Sequence, residues 1–386
     1  MISRRPELAD ALRIFAADYR ETYPTSFAQE RVLRELPLCR TASLGGHKLR
    51  CDSCGHEVIS YNSCRNRHCP KCRAAARAEW LDARERELLD VPYFHVVFTL
   101  PDELAAIALQ NKRVCYGLLF RAAADTLRII AADPKHLGAQ IGFLAVLHTW
   151  TQTLLHHPHV HCVVPGGGIS PDGQSWVPCR ENFFLPVRVL SRLFRRLYLQ
   201  RIQKAFDNDE LELHGKLETL RESATWSRTI SDLRSKEWVV YAKPPFGGPT
   251  QVLKYLARYT HRVAISNSRI VAIDDERVRF QWKDRSSGAG TKVMDLAGIE
   301  FVRRFLLHVL PKGFVRIRHF GFLANRVRSD KIALVRRLLA ERQQTRPPRP
   351  SPNPPIPPDR CPACGTGRLV VVEEFSPGHP ALFDTS

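Results

Sequence analysis

The stretch His156-His157-Pro158-His159-Val160-His161, continued by Cys162-Val163-Val164, is expected to decide how this chain folds. It reads as a β-strand that runs into a glycine-rich turn. Side chains alternate between the two faces of a strand, so His159 and His161 point the same way. Two imidazoles on one face supply half of a divalent-metal site. A His-x-His pair alone is equally compatible with two histidines that serve only the structure.

A third ligand is expected from the neighbouring strand. Residues 142–155 are apolar and are predicted to pair with residues 159–164, with a histidine-rich turn between the two strands. Gln152 on the first strand offers an amide oxygen, which suits Mg²⁺ or Mn²⁺, and it is preferred to His148 for that reason. His156 and His157 are alternatives that are predicted to lie on the turn.

Composition points to a polyanionic partner. The chain has 386 residues, enough for two or three domains, a formal charge of +19 and a pI near 9.8. Such a charge favours nucleic acid over a membrane surface. The sequence has no apolar run of membrane-spanning length and no apolar signal segment at its start, so a cytoplasmic protein is expected. Its cysteines are then expected to be metal ligands or buried thiols rather than disulfides.

Two C-x-x-C pairs form the clearest local motif. Cys51 and Cys54 make the first pair, and Cys69 and Cys72 make the second. Each pair places two thiolates on one tight turn, and two such turns complete a tetrahedral zinc site. The spacing therefore predicts that these four cysteines hold one structural zinc ion.

Further polar residues lie between and beside these pairs. Cys64 and His68 are extra zinc ligands that could bind a second ion, replace one of the four cysteines or support them, and the sequence leaves the choice open. Arg65, Arg67 and Lys71 make the segment basic and are predicted to contact DNA phosphates.

A tyrosine pair lies on a helix predicted over residues 251–263. Tyr255 and Tyr259 are one helical turn apart and share a face. Lys254, Arg258 and Arg262 make the same helix cationic and are predicted to contact DNA. A phenol is a weak nucleophile, but it attacks a phosphodiester that a metal ion has polarised and aligned. The pair would otherwise be an aromatic stripe of the core.

Three domains are predicted. Residues 1–90 form a helical and zinc-binding domain, residues 91–325 form the catalytic domain, and residues 326–386 form a basic helix, a proline-rich linker and a tail. The tail carries one C-x-x-C pair, Cys361 and Cys364, which is a weak zinc signal without a second pair. The sequence has no glycine-rich phosphate loop of the nucleotide-hydrolase kind, so ATP use is not predicted.

Over residues 45–325 the chain resembles a known group of transposases. The resemblance is carried by these blocks: Ser63-Cys64-Arg65-Asn66-Arg67-His68-Cys69-Pro70-Lys71-Cys72, Tyr93-Phe94-His95-Val96-Val97-Phe98-Thr99-Leu100-Pro101, Leu147-His148-Thr149-Trp150, His157-Pro158-His159-Val160-His161-Cys162, and Tyr255 through Asn267. They are similar to the two-tyrosine HUH transposases of the insertion sequence 91 family. The resemblance implies an α+β fold, in which an antiparallel sheet flanked by helices, with the histidine strand central, follows a small zinc-binding domain.

The same resemblance implies a mechanism. It makes His159 and His161 the metal ligands and Tyr255 and Tyr259 the nucleophiles. It also implies nicking of single-stranded transposon ends, 5′-phosphotyrosine intermediates and rolling-circle movement, with structural Zn²⁺ and catalytic Mg²⁺ or Mn²⁺ as cofactors and single-stranded DNA as end and target.

Two other functions stay open at this point. One is a zinc-finger DNA-binding protein without activity, in which the histidines and tyrosines are structural. The other is a plasmid replication initiator or relaxase that uses the same chemistry. The recognised DNA ends and the oligomeric state are not encoded in any pattern that we can interpret.

Overall fold

A computed structural model describes residues 5–243, 251–252, 263–284, 290–342 and 360–378. Contacts divide the chain into two units. Unit 1 contains Met1–Ala76, Ile265–Leu306 and Thr345–Ser386, and unit 2 contains Arg77–Ala264 and Leu307–Gln344. The domain limits near residues 90 and 325 remain a prediction.

Groups of helices and groups of strands follow one another along the described chain. The α-helices are α1 (Leu8–Thr22), α2 (Phe27–Glu35), α3 (Pro70–Glu85), α4 (Ala105–Gln110), α5 (Lys112–Ala132), α6 (Val187–Asp207), α7 (Ser223–Ser235), α8 (Gly298–Leu307) and α9 (Arg328–Arg342). The strands are β1 (Gly46–Cys51), β2 (Glu57–Tyr61), β3 (Tyr93–Thr99), β4 (Gly142–Trp150), β5 (His156–Pro165), β6 (Gly167–Ile169), β7 (Trp176–Pro178), β8 (Val240–Lys243), β9 (Ile270–Ile273), β10 (Arg277–Lys283), β11 (Thr291–Ala297), β12 (Ile317–Gly321) and β13 (Leu369–Phe375). Short 3-10 helices cover Ala42–Leu44, Asp102–Leu104, Gly215–Arg221 and Asn267–Arg269.

The main sheet of unit 2 has the histidine-rich strand at its centre. Its five strands are antiparallel and lie in the order β12-β4-β5-β3-β8. The predicted α+β class and the central position of this strand are therefore confirmed. Because β5 pairs on both sides, its backbone groups are satisfied within the sheet and its side chains are fixed to one face or the other.

The two faces of this sheet have different surroundings. Val160, Cys162 and Val164 of β5 are buried in an apolar core that α5 and α6 complete. Leu144, Val146 and Val163 lie on the opposite face, which we call the histidine face, and they pack with residues of α9. The alternation of β5 thus separates an apolar packing face from a face that also carries imidazoles.

Unit 1 is built on two small antiparallel sheets. One has the strand order β13-β1-β2 and the other has the order β11-β10-β9. A capping box starts α2, because the Ser26 side chain accepts from the Gln29 N–H and the Gln29 side chain accepts from the Ser26 N–H. At the start of α8, Gly298 is required because a Cβ atom there would lie 2.2 Å from the ring of Phe15.

Several segments differ from the sequence prediction. The apolar periodicity of the sequence predicts one helix over residues 102–132 and another over residues 187–223. In the structure the first is interrupted at Asn111, and the second ends at Asp207. The strand pattern did not reveal β1, β2, β11 or β13. Most of the residues of β13 are exposed, so the strand has no apolar alternation to detect.

Phe98 tests the apolar face of the main sheet. Its side chain is fully buried, and its ring lies 5.0 Å from the ring of Phe194 between centroids. We expect Phe98→Ala to lower the free energy of unfolding by about 3–5 kcal/mol, because it removes apolar contacts and leaves a cavity. The matched change Phe183→Ala, at a side chain that is 46% exposed, should cost less than about 1 kcal/mol. Equal urea midpoints for the two variants would contradict this assignment of the core.

Candidate functional site

Three imidazoles converge on the histidine face of the main sheet. His148 of β4 lies directly opposite His159 of β5, and His161 follows on the same face two residues later. One ring nitrogen from each lies within 4.8 Å of the others, and the His148 and His161 rings are 4.4 Å apart between centroids. His148 and His161 are buried, whereas His159 is half-buried. Three neutral imidazoles at this separation fit one divalent metal ion, with His159 on the more accessible side.

Hydrogen bonds orient two of these rings. The His159 Nδ1 atom lies 2.7 Å from the backbone carbonyl oxygen of His157. A carbonyl only accepts, so Nδ1 carries the proton and Nε2 keeps the lone pair that a metal ion requires. The His161 Nδ1 atom lies 2.8 Å from Nε2 of His95. Burial, together with the positive charge of Lys243, lowers the pKa of His95 to about 3, so this ring is neutral at pH 7.

A buried polar network holds the turn that joins β4 to β5. The His308 Nε2–H donates to the carbonyl oxygen of Leu154 at 3.0 Å, and the Thr149 hydroxyl lies 3.1 Å from Nδ1 of His308. The Tyr116 hydroxyl lies 2.7 Å from Nε2 of His156. Burial lowers the pKa of both His156 and His308 to about 3, so both rings are neutral at pH 7. The network therefore fixes both ends of the turn without a buried charge.

The other proposed ligands of the catalytic metal lie after the end of β4 and at the start of β5. Gln152 is half-buried in the turn after the end of β4, and its role as a ligand remains a prediction. His156 and His157 belong to β5, not to the turn as expected. His156 binds Tyr116, and His157 Nδ1 lies 3.2 Å from a carboxylate oxygen of Asp102.

The predicted nucleophiles and their helix lie almost wholly outside the described residues. This applies to Tyr255, Tyr259, Lys254, Arg258 and Arg262. Gln251 and Val252, at the start of the predicted helix, are described and helical, and Val263, at its predicted end, is described and is not helical. Val252 is fully buried in the apolar cluster on the histidine face.

The first cysteine group contains a ligand candidate that the sequence did not reveal. Four thiols lie within 4.8 Å of one another, and they belong to Cys39, Cys64, Cys69 and Cys72. The sulfur atoms of Cys39 and Cys72 are 3.5 Å apart, and those of Cys64 and Cys72 are 3.6 Å apart. Cys39 stands alone in the sequence, four residues after the end of α2, so no C-x-x-C spacing marks it.

A second cysteine group separates the two pairs that were expected to share one ion. Cys51 and Cys54 lie with Cys361 and Cys364, again with all four thiols within 4.8 Å. The expectation that the two early C-x-x-C pairs close one site is therefore wrong as a description of their placement. The pattern misled because spacing along the chain limits which turns can meet but does not determine which turns do meet.

The remaining residues of the zinc segment have their own partners. His68 belongs to neither cysteine group, and its N–H donates to the Asn66 side chain at 2.8 Å. Arg65 is exposed, whereas burial of the Arg67 guanidinium lowers its pKa. Lys71 forms an ion pair with Glu7 at 2.6 Å. Of the three predicted phosphate contacts, Arg65 is thus the most accessible, and all three roles remain predictions.

Two family models match this chain. A model described as "Putative transposase" matches residues 142–331, a range that includes β4, β5 and His308. A model described as "Transposase zinc-binding domain" matches residues 11–100, which include six of the eight grouped cysteines. The matched ranges therefore contain the histidine group, all four cysteines of the first group and two of the second group, and they define a transposase.

Two relatives place the chain within a family. It is 56% identical over 399 residues to "Putative transposase y4qJ" of Sinorhizobium fredii (strain NBRC 101917 / NGR234), covering 99% of both chains. It is 32% identical over 293 residues to "Transposase for insertion sequence element IS801" of Pseudomonas savastanoi pv. phaseolicola, covering 75% of this chain and 68% of the relative. No solved structure matches. The chain belongs to the insertion sequence 91 family of transposases, which act on DNA. Within the described ranges, no helix has the length and apolar character needed to cross a membrane.

Cys39 and His68 test the composition of the first cysteine group. Cys39→Ser should lower the zinc content by one ion per chain and destabilise unit 1, because metal binding at such a site is coupled to folding. His68→Ala should keep the full zinc content, because His68 lies outside the group. Elemental analysis of the purified, reduced protein measures both. Loss of zinc in His68→Ala, with full zinc content in Cys39→Ser, would mean that His68 and not Cys39 is the fourth ligand.

Proposed function

We propose that this transposase nicks and rejoins single-stranded DNA at the ends of its element, by a rolling-circle route, through 5′-phosphotyrosine intermediates. The observation that carries the proposal is the convergence of His148, His159 and His161 on the histidine face of the main sheet. A purely structural role does not require three imidazoles from two adjacent strands to share one point, whereas a metal site does. The expected setting is the bacterial cytosol or nucleoid.

The chain's own residues fit a catalytic divalent ion. His148, His159 and His161 would hold it. Because Nδ1 of His159 donates its hydrogen bond to a carbonyl, the Nε2 atom keeps a lone pair for the metal ion. Three imidazoles suit Mn²⁺ or another transition ion better than Mg²⁺, so Mg²⁺ would need the additional oxygen of Gln152 or of water. When bound, the ion would polarise the scissile phosphate and neutralise its charge.

The tyrosines would carry the covalent step. A phenol oxygen attacks phosphorus, the bond between phosphorus and the 3′ oxygen breaks, and the departing 3′ oxygen takes up a proton. The product is a 5′-phosphotyrosine and a free 3′ hydroxyl. Rejoining reverses the step, because a 3′ hydroxyl attacks the phosphotyrosine and releases the phenol. One ester bond replaces another, so no nucleotide hydrolysis is needed.

The described start of the predicted helix supports this role. Val252 is buried among Val146, Val163 and other residues of the histidine face. Tyr255 and Tyr259 follow Val252 by three and seven residues, which is the spacing of one helix face. This spacing in the sequence predicts that both phenols can reach one metal-bound phosphate. Lys254, Arg258 and Arg262 would then be available for phosphates of the bound strand.

Alanine variants separate the two candidates for the third ligand. His148→Ala, His159→Ala and His161→Ala should each lower nicking of a labelled single-stranded terminal oligonucleotide by at least about 100-fold, because a lost ligand removes stabilisation of the transition state. Binding of the oligonucleotide should change little. Gln152→Ala should have a smaller effect. His157→Ala, on the same strand but outside the group, is the matched control and should nick normally.

The outcome also tests the metal site itself. Normal nicking by His159→Ala in Mg²⁺ or Mn²⁺ would place the catalytic site elsewhere. A larger loss in Gln152→Ala than in His148→Ala would restore Gln152 as the third ligand.

Phenylalanine variants test the tyrosine pair. The change removes only the hydroxyl, so each variant should fold normally, and the double variant Tyr255→Phe/Tyr259→Phe should form no covalent adduct with single-stranded DNA. Each single variant should lose complete transposition, because one phenol cannot hold two DNA ends at once. Tyr241→Phe, at a tyrosine that is 51% exposed on β8, is the matched control. Mass mapping that finds DNA on neither tyrosine of the unmodified protein would disprove the mechanism.

A further inference from the structure

The second cysteine group has the dimensions of a metal–sulfur tetrahedron. The sulfur atoms of Cys51 and Cys364 are 3.8 Å apart, and those of Cys54 and Cys361 are also 3.8 Å apart. Four thiolates around one zinc ion, with Zn–S bonds of about 2.3 Å, have sulfur atoms about 3.8 Å from one another. We propose that these four cysteines bind a second zinc ion, which fastens residues 360–378 to the N-terminal part of unit 1.

Both pairs use the same turn, and the turn is the one that zinc sites use. Each pair is followed by a glycine with positive φ, +74° at Gly55 and +69° at Gly365. The N–H of Gly55 donates to the carbonyl of Cys51, and the N–H of Gly365 donates to the carbonyl of Cys361. Two separate segments with the same local geometry thus face each other across four thiols, as in a closed structural zinc site.

Backbone N–H groups also point at the sulfur atoms. The Ser53 N–H lies 3.4 Å from the sulfur of Cys51, and the Gly367 N–H lies 3.3 Å from the sulfur of Cys364. Such donors stabilise the negative charge of a thiolate, which is the form that binds a metal ion. A Cβ atom at Gly367 would lie 2.5 Å from the sulfur of Cys51, so only glycine permits this approach.

Apolar burial contributes little to holding the tail. β13 pairs with β1 along its length, with Leu369 opposite Cys51 and Phe375 opposite Gly46. Yet Val370, Val371 and Val372 of β13 are all exposed. In the described part of this sheet, the apolar cluster contains only Ala42 and Phe375 as buried members. A three-stranded sheet with so few buried side chains has little of the apolar face that stabilises such sheets in water, so a metal ion is the natural source of the missing stability.

This second site is separate from the catalytic proposal. It uses none of the histidines or tyrosines assigned above, and its sulfur ligands belong wholly to unit 1. Eight of the eleven cysteines fall into the two groups, while Cys115, Cys162 and Cys179 lie in unit 2 and belong to neither. The chain therefore offers its own control positions.

Zinc stoichiometry of the full chain is the primary test. Elemental analysis of reduced protein should find two zinc ions per chain, and Cys361→Ser or Cys364→Ser should reduce this to one. Cys179→Ser should keep both ions. Substitution with Co²⁺ should give the thiolate absorption of tetrahedral sulfur sites, at half intensity in Cys361→Ser. One zinc ion in the unmodified chain, two in Cys361→Ser, or disulfides among these four cysteines would each overturn the proposal.

A gentler variant covers the case in which a lost ligand prevents folding. Gly367→Ala keeps all four thiols but places a methyl group against the sulfur of Cys51. One of the two zinc ions should then be removed at a chelator concentration at least tenfold lower than in the unmodified chain. Gly117→Ala, where a Cβ atom meets nothing within 4 Å, is the matched control and should not change zinc release. Equal zinc release from Gly367→Ala and the unmodified chain would overturn the proposal.

Cleavage of the chain before the tail tests whether the zinc ion holds the tail to the rest of the protein. A specific protease site placed within residues 345–358 would allow the tail to be separated covalently from the remainder. With zinc, the tail should co-elute with the body in size-exclusion chromatography, and a chelator should release it. Release with zinc present, or retention after complete zinc removal, would show that the metal is not the fastening element.

Discussion

The pairing register of β4 with β5 is the constraint on which the rest of unit 2 depends. Placing His148 opposite His159 brings an imidazole from each strand to one point, with His161 beside them. Strand periodicity is two, so a slip of one residue would turn the histidines into the apolar core and move Val160 and its neighbours onto the histidine face. Buried apolar side chains on both faces fix the register, and the proposed metal ligands depend on it. Buried hydrogen bonds of His308 with Thr149 and Leu154 fix the conformation of the connecting turn.

The sequence predicted the fold correctly where the periodicity of one short segment is enough to define a strand. The alternation of β5 predicted a strand with His159 and His161 on one face, and the resemblance to the insertion sequence 91 family implied its central position. The structure has both features. The sequence was less informative where a role depends on a distant partner. The sequence could not show that His148 lies opposite His159, because that depends on the register of β4 with β5. The role of Gln152 as a ligand remains a prediction. His308 had no signal at all, because one histidine between Leu307 and Val309 resembles any other helix end.

The cysteines show the same limit in a different form. A C-x-x-C pair specifies only local backbone structure: Cys51–Cys54 forms a tight turn, and Cys69–Cys72 forms the start of α3. It does not specify which other turn will meet it, and the partner of the first pair is separated from it by 307 and 313 residues. Cys39 could not be predicted as a ligand, because it follows the end of α2 and has no second cysteine near it in the sequence. Tertiary contacts, not motif spacing, assign the partners in both groups.

Because β13 pairs with β1, the β13-β1-β2 sheet can be completed only late in the synthesis of the chain. Cys51 and Cys54 leave the ribosome some three hundred residues before Cys361 and Cys364 do, so the β13-β1-β2 sheet stays incomplete through most of translation. At about 5–20 residues per second, that interval lasts on the order of tens of seconds. Unit 2, whose main sheet draws on residues 93–321, is finished first. Cys51 and Cys54, among the first cysteines synthesised, are thus among the last to meet their partners, and both thiols stay without them until the tail is made.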